Sequence, residues 1–92
     1  MVGAMLSKPR YYRAIFYDDD NKCFGVSNII ISCNDLTDVT CILQRRGLNV
    51  HMSTTEPKKD INEVPSVESL IQSLKGSYTY DESMTKIICK YS

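Results

Sequence analysis

The residues from Tyr11 to Cys33 constrain the fold more than any other stretch, because they hold two β-branched and aromatic runs separated by a polar break. Tyr11 to Tyr17 alternates in character, Asp18-Asp19-Asp20-Asn21-Lys22 reads as a turn, and Cys23 to Val26 resumes the apolar pattern before Ile29-Ile30-Ile31. Asp and Asn tolerate left-handed backbone and bond their own main chain, so this break predicts a hairpin. Period-two alternation puts Tyr12, Ala14 and Phe16 on one face, with Ala14 and Phe16 as the core candidates. Tyr11, Arg13, Ile15 and Tyr17 fall on the other. Ser27-Asn28 marks a bulge or short break.

Everything downstream must cover that hairpin. Asn34-Asp35 ahead of Leu36, Val39, Ile42 and Leu43 predicts a capped helix, with acidic residues in its first turn, Arg45-Arg46 in its last and Gly47 beyond. Cys41 points away from that stripe and is the most exposed thiol expected. Leu48, Val50 and Met52 then alternate with Asn49, His51 and Ser53, predicting a strand that buries the first set and turns His51 outward. A polar connection from Thr54 to Val64 leads to a second helix opened by Pro65-Ser66, carrying Val67, Leu70, Ile71 and Leu74 and closed by Gly76. Tyr78 to Tyr80, a turn at Asp81-Glu82-Ser83, and Met84 to Tyr91 read as a closing hairpin, with Ile87, Cys89 and Tyr91 alternating against Lys86, Ile88 and Lys90.

The expected fold is therefore α+β: a two-layer sandwich whose mainly antiparallel sheet of about five strands, in the order β-β-α-β-α-β-β, carries two short helices on one face. Helices of about ten residues cannot stand alone in water, so each must lay its stripe on the sheet. At 92 residues the chain has room for one domain. Residues 1–10 are expected as a flexible leader and residues 11–92 as the domain.

Eleven basic and eleven acidic residues cancel, which removes the long-range field that favours non-specific binding to nucleic acid or anionic membranes. No apolar run is long enough for a membrane helix, and Met1 to Leu6 lacks the basic flank of a signal peptide. The expected location is the cytosol, with no membrane partner. The four cysteines show neither a CxxC pair nor regular spacing. Scarce alanine amid abundant Ser, Asn, Ile, Lys and Tyr is a bias of AT-rich coding DNA and hints at such a genome or a mobile element.

No motif names an enzyme. Asp18 to Asn21 lacks the glycine and distal glutamate of a calcium loop, the scattered glycines form no phosphate loop, and Cys33, Cys41 and His51 lack the spacing of a zinc site or a nucleophile with its base. No cofactor is implied and no catalytic activity is expected. The candidate binding residues are Arg13, Ile15, Tyr17, Lys86, Ile88 and Lys90, which the expected closing hairpin places on one outer sheet face. The sequence thus predicts a small protein-binding module that meets a protein partner or itself. The alternative is an accessory protein that binds single-stranded nucleic acid through this basic and aromatic face.

Overall fold

A computed structural model of the chain describes residues 10–30 and 34–91, with the side chains of 34–36 outside the description. The expected leader, apart from Arg10, lies outside the described residues, as do Ile31 and Cys33. Among the described residues the fold is α+β: strands β1 (Tyr12–Asp18), β2 (Cys23–Ile30), β3 (Val50–Thr54) and β4 (Thr79–Tyr80), with helices α1 (Asn34–Arg45), α2 (Val67–Leu74) and α3 (Glu82–Tyr91). The sheet is mixed, in the order β3-β1-β2-β4, with β4 parallel to β2 and the other pairs antiparallel.

The hairpin forms where its polar break is. Asp18 is buried, and its carboxylate accepts from the backbone N–H groups of Asp20 and Asn21 and from the Asn21 side-chain amide, while Lys22 takes the left-handed conformation that closes the turn. The register between β1 and β2 shifts between Arg13 and Ile15, opposite Ser27-Asn28. Ser27 satisfies the main-chain group this shift would orphan, since its buried hydroxyl accepts from the Ala14 N–H at 2.8 Å.

Both faces of the sheet are covered, where the sequence predicted helices on one. Ala14, Phe16, Ile30 and Val50 pack with Val39 and Leu43 of α1 and with Met84 and Ile88 of α3. Ile15, Phe24 and Val26 point the other way and pack with Leu70, Val67, Ile71 and Leu74 of α2. Alternation on β1 thus separates two apolar sets, and Ile15, expected outside, is buried beneath α2. α2 starts where expected, with the Ser66 hydroxyl accepting from the Ser69 N–H. On β3, Val50 is buried and His51 exposed as expected, but Met52 at the sheet margin stays 38% exposed.

The expected closing hairpin is absent. Residues 82–91 form α3, because Met84, Ile87, Ile88 and Tyr91 also follow i, i+3, i+4, i+7 and Asp81 supplies the cap. Its carboxylate accepts from the Met84 N–H at 3.1 Å and its carbonyl accepts from the Thr85 N–H. Among the described residues the sheet consequently has four strands rather than about five. α3 lies directly on β2 over Gly25, where a Cβ would come 2.8 Å from Ile88 Cδ1 and 3.0 Å from the Thr85 backbone nitrogen. It also finishes the outer edge of β2, since the Thr85 hydroxyl accepts from the Val26 N–H.

Candidate functional site

The register places aromatic rings in one row across the whole sheet. His51 on β3 pairs with Tyr17 on β1, Tyr17 with Phe24 on β2, and Phe24 with Tyr80 on β4. All four point to the α2 side, because partners in register share a face. The His51 and Tyr17 rings stack at 4.9 Å between centroids; Tyr17 to Phe24 is 6.4 Å and Phe24 to Tyr80 is 5.5 Å. Tyr78, just ahead of β4, lies over Tyr17 at 4.8 Å. Helix α2 covers one flank of this face, so the row runs from a buried centre at Phe24 to an exposed end at His51.

A hydrogen-bonded carboxylate fixes the exposed end. Asp19 leaves the hairpin turn with one oxygen 2.7 Å from His51 Nδ1 and the other accepting from the Tyr78 hydroxyl at 3.0 Å. The bond with His51 holds the Asp19 carboxyl below the usual carboxylate range, with the Tyr78 hydroxyl and the positive charge of Lys22 adding to the effect. The same carboxylate pushes the Tyr78 phenol above its ordinary value, and burial does so for Tyr17. Asp19 thereby holds His51 and Tyr78 on either side of Tyr17, which limits rotation of exposed rings before any contact is made. The His51 side chain remains 54% exposed.

Beside the row, a cleft of about 360 Å³ opens between the end of α2 and β4, lined by Phe24, Ile71, Lys75, Tyr78 and Tyr80 among others. Its walls are mostly ring and aliphatic surface, with one ammonium group, the composition that receives an apolar side chain or small molecule. Gly76, with φ +98°, turns the chain at its rim.

The sequence-predicted binding residues do not assemble on one face. Arg13, Ile15 and Tyr17 lie on β1 and point to the α2 side, whereas Lys86, Ile88 and Lys90 belong to α3 on the opposite side. Ile15 and Ile88 are buried in separate cores. The Arg13 guanidinium is committed internally: Nε donates to the Pro65 carbonyl at 2.8 Å and Nη1 to the Ser27 carbonyl at 3.1 Å, tying the start of α2 to the bulge. Lys86 forms an exposed pair with Glu82 at 3.5 Å, and Lys90 lies 5.7 Å from the Tyr91 ring centre. Only Tyr17 belongs to the aromatic row. His51, Tyr78 and Tyr80 were missed as a group because their neighbourhood depends on the order and register of distant strands.

The described thiols are dispersed. Cys41 is exposed on α1, while Cys23 is pushed up to about 11 by burial and the neighbouring carboxylates of Asp81 and Asp18. Burial also raises Cys89. Among the described residues no group of three or more His, Cys, Asp or Glu is placed to hold a metal ion, and no helix is long and apolar enough to cross a membrane. No family model, curated protein or solved structure matches this chain.

Proposed function

We propose that this chain is a small cytosolic protein-binding module without catalytic activity, and that it meets its partner with the exposed end of the aromatic row. The observation that carries this reading is the register-aligned row ending in His51, Tyr17 and Tyr78, with Asp19 bridging the outer two. Rigid aromatic side chains supply large contact area at low cost in rotamer entropy, which is why they dominate the energetically important parts of interfaces. The cleft beside Tyr78 and Tyr80 offers a recess for an apolar anchor from the partner, with Lys75 at its margin to meet an acidic group.

Two features favour a protein over nucleic acid as the partner. The Asp19 carboxylate stands at the exposed end of the row, where it opposes a phosphate and offsets the charge of Lys22 over the Tyr78 ring, and the Arg13 guanidinium is held by two carbonyls. His51 and Asp19 resemble a base with its orienting acid, but no hydroxyl or thiol is hydrogen-bonded to the imidazole among the described residues.

The test is capture from cell extract by immobilised wild-type chain, His51→Ala, Tyr78→Ala and, as a control on the other side of the fold, Lys86→Ala with Lys90→Ala. A partner held by the wild type and the control but weakened about tenfold or more by the first two, each verified as folded by circular dichroism, supports the reading. Equal retention by all four rejects it.

A further inference from the structure

We infer that the outer edge of β3 pairs with β3 of a second copy of this chain, antiparallel about Met52, to make one continuous sheet across a dimer. This goes beyond the aromatic-face reading, because the edge can pair whether or not that face binds anything.

Among the described residues the edge is open and unguarded. β3 is the end strand, and its partner β1 takes only one side of it. Thr55 N–H bonds to the Arg13 carbonyl and Asp19 N–H to the Asn49 carbonyl, which fixes the alternation between them. Arg13, Ile15, Tyr17 and Asp19 face hydrogen-bonded partners, so Val50, Met52 and Thr54 direct their own N–H and C=O groups away from the sheet. Isolated edges of this kind are ordinarily blunted by a lysine, a proline, a bulge or an inward charge. The segment Val50–Thr54, Val-His-Met-Ser-Thr, has no Lys, Arg, Asp, Glu or Pro, and Pro57 and the Lys58–Glu56 ion pair come only after it has ended.

The choice of a second copy rests on self-complementarity. Antiparallel pairing about Met52 sets Val50 opposite Thr54 of the other copy, Met52 opposite its counterpart and His51 opposite Ser53, so the strand pairs along its whole length. The two Val50–Thr54 pairs and the Met52–Met52 pair join the outward-directed groups of one copy to those of the other, giving about six main-chain hydrogen bonds, while the His51–Ser53 pairs between them are non-hydrogen-bonded. No like charges meet. Met52, one of the few exposed large apolar side chains among the described residues, is covered by its own copy, and β-branched Val50 meets Thr54. Two aromatic rows would then lie side by side on one extended face, joined where each His51 meets Ser53 of the other copy.

Sedimentation equilibrium of the full chain from about 10 to about 500 μM tests the assembly. The wild type is expected to show a reversible dimer, and Met52→Lys, which opposes two ammonium groups across the axis, to weaken it about tenfold or more. Because Met52 is exposed, that variant should keep its circular dichroism. The register is tested in a Cys41→Ser background by mild oxidation. Met52→Cys should give a disulfide-linked dimer, since directly opposed hydrogen-bonded residues lie about 5.5 Å apart at Cα. His51→Cys, facing Ser53, should not. A monomer throughout the range, a dimer untouched by Met52→Lys, or cross-linking through position 51 and not 52 overturns the inference. Met52 points to the face opposite the aromatic row, so loss of self-pairing and loss of partner capture are separable.

Discussion

Replacing Gly25 by alanine tests the seat of α3, on which the shape of the whole outer core depends. The new methyl group would come 2.8 Å from Ile88 Cδ1, 3.1 Å from Met84 Cγ and 3.0 Å from the Thr85 backbone nitrogen. The two side-chain atoms can yield by changing rotamer. The Thr85 nitrogen cannot, because its N–H is bonded to the Asp81 carbonyl at the start of α3. Overpacking of this kind costs about 1–3 kcal/mol, while replacing a strand glycine by alanine recovers about 0.5–1 kcal/mol of backbone entropy. With overpacking near the middle of that range, about 2 kcal/mol, the net loss is about 1–1.5 kcal/mol, which corresponds to a fall in Tm of about 4–12 °C for a domain of this size. Thermal unfolding by circular dichroism reads that change. Adding Ile88→Val removes the closest atom, so the double variant should be more stable than the sum of the single losses by about 0.5–1 kcal/mol. A Gly25→Ala protein that melts at or above the wild-type temperature, or a strictly additive cycle, refutes the placement of α3 on β2.

Other consequences can be measured independently. Arg13→Ala should cost about 2–3 kcal/mol in urea unfolding, because two hydrogen bonds from a charged donor to backbone carbonyls are lost, whereas Lys86→Ala should stay within about 0.5 kcal/mol; equal effects would contradict the internal role of Arg13. Brief alkylation at pH 7.5, read by peptide mass spectrometry, should label Cys41 ahead of Cys23 and Cys89, whose thiols are shielded and held protonated; labelling at one common rate would contradict this. Asp19 is held below its ordinary value, so the stability it contributes is fully present above about pH 4 and is lost as pH falls through its lower folded value. Asp19→Asn should therefore show a shallower loss of stability below pH 4 than the wild type, and an identical acid limb would remove Asp19 from that account.

Among the described residues the elements from β1 to α2 are legible because their local signals agree, although the face that α2 covers is not. The turn from Asp18 to Lys22, the irregularity at Ser27-Asn28, the arginine and glycine ending α1, and Ser66 opening α2 each act within a few residues of themselves. The segment from Met84 to Tyr91 satisfies two periods at once: Ile87, Cys89 and Tyr91 alternate like a strand, while Met84, Ile87, Ile88 and Tyr91 repeat like a helix. Its β-branched residues favoured the strand, and the decisive signal was Asp81, whose carboxylate caps the helix three residues on. That one misreading moved Lys86, Ile88 and Lys90 onto the wrong element and produced a basic face that the fold does not contain. The aromatic row was illegible for a different reason. Tyr17, His51 and Tyr80 become neighbours only when strands far apart in sequence align in the order β3-β1-β2-β4, and no local propensity encodes that register.

The most direct measurement is amide chemical-shift mapping of the isotopically labelled chain as the captured partner is added. The largest changes are expected on Tyr17, Asp19, His51 and Tyr78 and on the cleft residues Ile71, Lys75 and Tyr80. Changes confined to the outer surfaces of α1 and α3, around Cys41, Lys86 and Lys90, would contradict this and place the contact on the opposite side of the fold.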